Sequence, residues 1–192
     1  MTASKSQLRT ETLTRRRTLS PDQRNRFSLE IENLLFEHLK EKRITADHHL
    51  LAYRALSEEV NTTALFETPP CHIYAPRMHG GKDMHWLQVN EKTNWIRGHF
   101  GILEPESGSD WNHEYGSAIL LCPLVGFDRR GNRLGMGKGC FDRWLERFQS
   151  RIDSIIGLAF SCQELPAIPI ESHDIPLHTI ITEKEVISCP TT

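Results

Sequence analysis

Pro-Leu-Val-Gly-Phe-Asp-Arg-Arg-Gly-Asn-Arg-Leu-Gly-Met-Gly-Lys-Gly-Cys-Phe-Asp-Arg, residues 123–143, joins an apolar run to an amphipathic one through a glycine-dense loop. The run before it, Ala118 to Val125, carries no charge and predicts a buried strand. In the loop Gly135, Gly137 and Gly139 alternate, with Arg133 and Lys138 interleaved. Phe141, Trp144, Leu145 and Phe148 then recur at helical spacing, which predicts a helix over Phe141 to Gln149. Strand, glycine loop and helix in that order bring backbone N–H groups and a helix N-terminus onto a phosphate. The cations in the loop strengthen the expectation of a nucleotide phosphate site.

Two common phosphate motifs do not fit. The P-loop needs four residues between its first glycine and a Gly-Lys pair, then Ser or Thr. Here five residues lie between Gly131 and Gly137, and Gly139 follows Lys138. The dinucleotide fingerprint wants a small residue where Cys140 sits after Gly135-Met136-Gly137. A glycine-rich surface turn is the bland alternative; Arg133, Lys138 and the downstream Asp142 weigh against it.

Outward from the loop, strands alternate with helices. Ser20-Pro21-Asp22-Gln23 is a helix start with cap, first-turn proline and capping-box glutamine, and Phe27, Ile31, Leu34 and Leu35 mark the apolar face of a helix over about 21–40. A shorter helix over about 5–18 precedes it. Strands are expected at His49 to Ala55, Cys71 to Ala75, Met84 to Val89, Ser154 to Phe160 and His178 to Thr182, with a helix beginning near Asn61-Thr62. Residues 90–117, rich in Gly, Pro, Ser and Asn, suggest a long ordered loop beside a site, in which Trp95 and Trp111 either stack on a ligand or pack into the core. The pattern predicts a single-domain, three-layer α/β/α fold over residues 1–192, Rossmann-like, with an open and mostly parallel sheet. Its ligand belongs at the C-terminal ends of the strands. Residues 1–4 and 187–192 are expected to be flexible termini.

Composition narrows the function classes. The chain has 192 residues and a formal charge of −2, which excludes bulk attraction to nucleic acid or an anionic membrane. Positive charge is nevertheless concentrated early, at Lys5, Arg9, Arg15, Arg16, Arg17, Arg24 and Arg26, where it would contribute to the field around a polyphosphate. Five cysteines without paired spacing do not form a disulfide framework, and ten scattered histidines form no zinc pattern. With no apolar leader after Met-Thr-Ala-Ser-Lys and no window of membrane-spanning length, a cytoplasmic location is expected.

The 123–143 stretch resembles the hallmark of the 5-formyltetrahydrofolate cyclo-ligases, also called methenyltetrahydrofolate synthetases: Pro-x-x-x-Phe-Asp-x-x-Gly-x-Arg-Leu-Gly-x-Gly-x-Gly-Tyr-Tyr-Asp. Pro123, Phe127, Asp128, Gly131, Arg133, Leu134, Gly135, Gly137, Gly139 and Asp142 stand in register. Lys5-x-x-Leu8-Arg9 looks like the family's N-terminal segment that reaches the ATP phosphates. Ser-Glu-Glu-Val around Glu58 and Glu59, Gly101-Ile102-Leu103-Glu104-Pro105, Gln163 and the His173-Asp174 pair are similar to further family elements, so the likeness spans roughly residues 5–186.

What the resemblance implies is ATP- and Mg2+-dependent cyclisation of 5-formyltetrahydrofolate to 5,10-methenyltetrahydrofolate, through phosphorylation of the formyl oxygen. It makes Lys138 and Arg133 the catalytic cations. Lys5, Arg9, Arg133, Leu134, Gly135, Met136, Gly137, Lys138, Gly139, Cys140 and Phe141 become the ATP site. Glu59, Glu104, Met136, Gly137, Lys138, Gly139 and Cys140 become the folate side, and Asp142 and Asp174 the magnesium carboxylates. Reduced folate and ATP are the implied partners of a monomer that binds neither nucleic acid nor membrane. Cys140-Phe141 departs from the usual Tyr-Tyr. No ordered base stands beside the Cys140 thiol in the sequence, so it reads as a repacked wall rather than a nucleophile. The missing phenols also leave open a non-catalytic nucleotide- or folate-binding regulator that has lost turnover.

Overall fold

A computed structural model describes residues 3–80, 83–98, 101–112, 114, 117–171 and 173–190. Two helices open the chain, α1 (Lys5–Arg17) and α2 (Pro21–Glu41). Both start in a capping box, Ser4 with Gln7 and Ser20 with Gln23, so two orphan N–H groups of each first turn are satisfied locally. The strands are β1 (His49–Leu51), β2 (His72–His79), β3 (Asp83–Gln88), β4 (Trp95–Arg97), β5 (Leu103–Pro105), β6 (Ala118–Pro123), β7 (Gly126–Phe127), β8 (Arg133–Leu134), β9 (Ser154–Leu158), β10 (Thr179–Ile181) and β11 (Val186–Ser188). Two further helices are α3 (Thr63–Glu67) and α4 (Cys140–Phe148).

Seven strands form one sheet in the order β11-β10-β9-β6-β1-β2-β3. The five inner strands are parallel, and β3 and β11 close the two edges antiparallel. Alternation along each inner strand divides the core in two. Leu50, Ile73, Ile119, Leu121, Ile156 and Ile181 pack with Ile31, Leu35 and Leu39 of α2 and Leu65 of α3. Leu51, Tyr74, Leu120, Cys122, Ile155 and Ile180 pack on the other face with Trp144 and Leu145 of α4. The expected three layers and mostly parallel sheet are therefore present, with β6 buried on both faces at its centre.

Helix α1 belongs to neither layer. Its Leu8 joins Val125, Leu134, Leu165 and Ile168 in a small third cluster. Val125 and Leu134 lie just beyond the C-terminal end of β6, so α1 is laid across that end of the sheet.

Several elements differ from expectation. β1 stops at Leu51 instead of Ala55, because Tyr53 to Thr62 turns away to meet α2: Thr62 Oγ1 donates to the Tyr53 carbonyl at 2.7 Å and the Asn61 N–H donates to Ser28 Oγ at 3.0 Å. The helix expected near Asn61-Thr62 is only the five residues of α3. Loop 90–117 carries the β4–β5 hairpin, with residues 99–100, 113 and 115–116 outside the described ones. At the termini, Ser4 caps α1, and Val186–Ser188 pairs with β10 and buries Ile187, so 187–188 is sheet rather than tail; residues 1–2 and 191–192 lie outside the described ones. Trp95 packs edge-on against Phe66, and Trp111 lies against Trp144 and Phe148 while its Nε1–H donates to His49 Nδ1 at 3.1 Å. Both tryptophans pack within the fold.

Between β7 and β8 the chain turns about one buried carboxylate. Asp128 is 1% exposed and accepts from the N–H groups of Arg130 (2.9 Å), Asn132 (3.3 Å) and Ile168 (2.9 Å), and from Asn132 Nδ2 (3.1 and 3.0 Å to its two oxygens). Gln163, also buried, donates to the carbonyls of Leu124 (3.0 Å) and Val125 (2.8 Å). These bonds hold the end of β6 and the turn after it. Asp128→Ala would strand several buried donors, each costing about 1–3 kcal/mol. Urea unfolding should show a loss of about 3 kcal/mol or more at unchanged m; a loss below about 1 kcal/mol would mean that the turn holds without the carboxylate.

Candidate active site

The chain passes from β1 to β2 on one side, then returns to place β6 on β1's other side. Side crossovers diverge at such a switch point and leave a crevice at the strand ends. The crevice here is a cavity of about 330 Å³, lined by Tyr53 and Arg54 beyond β1 and by Pro123, Leu124 and Val125 at the end of β6. All fifteen residues singled out from the sequence, from Lys5, Arg9, Glu59 and Glu104 through Arg133 to Asp142 and Asp174, line it.

The glycine loop forms one wall. Gly137 (φ +84°) and Gly139 (φ +63°) take left-handed conformations that side chains resist, and Gly139 is the N-cap of α4. Gly135 has no such φ, but a Cβ there would meet nothing within 4 Å, so this part of the loop is open. Arg9 reaches across from α1 and donates through Nε to the Gly135 carbonyl at 2.8 Å, fastening helix to loop.

Two ion pairs neutralise much of this wall. Arg133, nearly buried, bonds Asp142 in the first turn of α4 and the Ile175 carbonyl. Lys5 Nζ lies 2.6 Å from Asp174 Oδ2 and 3.3 Å from Glu171 Oε2. Burial alone would raise the Asp174 carboxyl, but the Lys5 hydrogen bond and charge and the Glu171 N–H outweigh it and bring it below the usual carboxylate range. Glu171, His173 and Asp174 have ligand atoms within 4.8 Å of one another. Every one of these acids already faces a cation. A divalent ion arriving alone would compete with Lys5 and Arg133, whereas one arriving on a polyphosphate brings anions for both. Hard carboxylate donors with phosphate oxygens are the usual magnesium set, so the residues fit that ion.

The opposite wall is more apolar, with Leu56, Pro76, Met78, Met84 and Ile102. Glu59 enters it from the Tyr53–Thr62 segment, its Oε2 accepting the Leu56 N–H at 2.9 Å. Burial pushes its carboxyl up, against the Leu56 bond and the charge of Arg16. Glu104, 5% exposed on β5, lies over Gly98, where any side chain would collide with its carboxylate. Cys140 touches Arg143 rather than a base: Nη2 donates to Sγ across 3.8 Å.

The early basic cluster splits. Lys5 and Arg9 line the cavity, but Arg15 bonds Glu11 and the Glu164 carbonyl, Arg16 and Arg17 face Glu58, Arg24 caps the Leu19 carbonyl and Arg26 faces Glu30. Sequence reasoning missed Tyr53, Arg54, Met78, Met84 and Glu171. Only the position of Tyr53-Arg54, after a central strand at a switch point, carried a signal.

Comparison with known proteins is consistent over the whole chain. Residues 1–183 match the 5-formyltetrahydrofolate cyclo-ligase family. A 5-formyltetrahydrofolate cyclo-ligase of Haemophilus influenzae is 32% identical over 139 residues, covering 69% of this chain and 74% of that one. One of Escherichia coli is 27% identical over 178 residues, covering 90% and 96%. The solved structure of Aquifex aeolicus 5,10-methenyltetrahydrofolate synthetase superposes with a TM-score of 0.80 at 30% identity, covering 98% of this chain and 94% of its own.

A raised carboxyl is a stability cost. The Glu59 penalty is fully present above its folded-state pKa and is relieved as pH falls through that value toward the unfolded one. Glu59→Gln should therefore melt no lower than the parent at pH 7.5, with any advantage shrinking toward pH 5. Thermal scans at both pH values check this, and a variant that melts clearly lower at pH 7.5 would show that the ionised carboxylate is well accommodated.

Proposed function

The chain belongs to the 5-formyltetrahydrofolate cyclo-ligase family, enzymes that close 5-formyltetrahydrofolate to 5,10-methenyltetrahydrofolate, and we propose that it drives this closure with ATP and magnesium in the cavity between β1 and β6. One observation carries the ATP assignment. Lys5, Arg9, Arg133 and Lys138, drawn from opposite ends of the sequence, line one cavity with Asp142, Asp174 and the N-terminus of α4, facing an apolar wall. The cationic wall suits a polyphosphate and the apolar one a pterin.

The chemistry explains why the protein needs position and charge more than a nucleophile. An N-formyl group is an amide, and its carbon resists N10. The formyl oxygen attacks the γ-phosphorus; an O–P bond forms as the P–O bond to ADP breaks, leaving an imidate phosphate. N10 then adds to the imidate carbon, N10 gives up its proton, the C–O bond breaks, and inorganic phosphate leaves. Lys5, Arg9, Arg133 and Lys138 balance charge on the moving phosphoryl group, and the N–H groups of Gly135 to Phe141 hold the phosphates in line. Asp142 and Asp174 would hold magnesium together with the nucleotide's phosphates, and the ion would supply further charge neutralisation there. Glu59 meets a pterin N–H or amine, with Glu104 as a second carboxylate on that side. Met136 and Cys140 line the junction between the two ligands.

We read residues 1–192 as one domain acting as a cytoplasmic monomer on these two small molecules, without nucleic acid or membrane. Among the described residues no helix is long and apolar enough to cross a membrane.

Purified protein with ATP, magnesium and 5-formyltetrahydrofolate should generate the near-ultraviolet band of the methenyl product, and chelation should abolish it. Lys138→Ala should lower kcat by about 100- to 1,000-fold, the scale of removing one group that stabilises transition-state charge. ATP binding without product would reverse the catalytic assignment and point to Cys140-Phe141; near-parental kinetics in the lysine variant would remove Lys138 from the site.

A further inference from the structure

One cation of the cavity has no part in the phosphate wall. Lys5, Arg9 and Arg133 are bonded to Asp174, to the Gly135 carbonyl and to Asp142, and Lys138 belongs to the glycine loop. Arg54 comes from the other side. It follows the end of β1, on backbone fixed by the Ala52 N–H to the Tyr74 carbonyl (2.9 Å) and by Thr62 to Tyr53. Its guanidinium carbon sits 4.7 Å from the ring centre of Trp95 on β4 and 5.1 Å from that of Phe66 on α3, and those rings meet edge to face.

That seat does two things. Arg54 is held at the hairpin side of the cavity, beside the apolar wall, with much of its rotamer freedom already lost. Both contacts are cation–π in kind and supply no oxygen acceptor, which leaves its N–H donors for a ligand. Among the described residues no carboxylate or carbonyl accepts a hydrogen bond from it; Glu67 acts on it only through its charge. A half-buried, always-charged fork of donors is matched by a planar anion, and a carboxylate matches it in two-point geometry.

On the reading of the cavity given above, the substrate supplies such an anion in one place only. A reduced folate is an aromatic body, suited to the wall of Leu56, Met78, Met84 and Ile102, that ends in a glutamate. We propose that Arg54 is a specificity-determining residue that binds a carboxylate of the substrate's glutamate and so selects the glutamylated folate over the bare pteroate. Trp95 and Phe66 act as positioning residues that hold the guanidinium for it. This reading gives Trp95, which does not touch the cavity, a connection to the reaction.

The test compares 5-formyltetrahydrofolate with 5-formyltetrahydropteroate, the same ring system without glutamate, in the parent and in Arg54→Met. The parent should favour the glutamylated substrate by about 10- to 100-fold in kcat/KM, mostly through KM, the usual scale for a charge-assisted bond. In Arg54→Met the ratio should fall to near unity. Arg54→Lys keeps the charge but not the fork, and should keep only part of the ratio; it also serves if the methionine variant folds poorly. A ratio unchanged in both variants overturns the proposal, as does a loss that falls on the KM for ATP. Turnover of neither substrate by the parent would instead defeat the cyclo-ligase reading, and this inference with it.

Discussion

The buried carboxylate of Asp128 is the constraint on which the site depends. A charge taken out of water is tolerated only when its lone pairs are filled, and here backbone and side-chain N–H groups from three directions fill them. The same bonds leave the β7–β8 turn little choice of shape. Arg133 emerges from that turn toward Asp142 and the Ile175 carbonyl, and the glycine loop begins two residues later. Gln163 does the corresponding work on the strand side by holding the carbonyls of Leu124 and Val125. An open, glycine-rich wall is thus mounted between two well-bonded points, which gives a loop both access to a ligand and a defined place.

Charge in the cavity is arranged as pairs rather than as a field. Arg133 with Asp142 and Lys5 with Asp174 are close and partly shielded, so the free cavity carries far less net charge than its list of cations suggests. This limits the self-repulsion of like charges in a crevice of about 330 Å³. It also means that binding of an anion and of a cation must be coupled, since each frees the partner of the other. The distal arginines of α1 and α2 show the same economy, each spent on a nearby acid or carbonyl.

The layers, the central strand β6, the capped helix α2 and the fifteen residues singled out for the site were legible because each has a local signature: an uncharged apolar run, a capping box, a motif in register. What escaped depends on contacts distant in sequence. Whether Tyr53 to Thr62 continues a strand or turns to α2 is decided by Ser28 and Thr62, and five residues at α3 are too few to show a period. Residues 187–188 of β11 are a different case: the partner β10 is close in sequence, but a strand of three residues is too short to show an alternation. The tryptophans illustrate the limit best. Their size announced importance, but only packing shows Trp111 tied to His49 and Trp95 lying under Arg54.

The bond between Lys5 and Asp174 spans 169 positions of the chain. Closing so long a separation carries a loop-closure entropy cost that the local turns and helix starts do not. A ribosome must have released the chain through Asp174 before Lys5 can find its acidic partner. This wall of the cavity is therefore complete only when the first helix and Asp174 are both in place. A ligand held there binds the folded chain and protects it from unfolding, more so the tighter it binds.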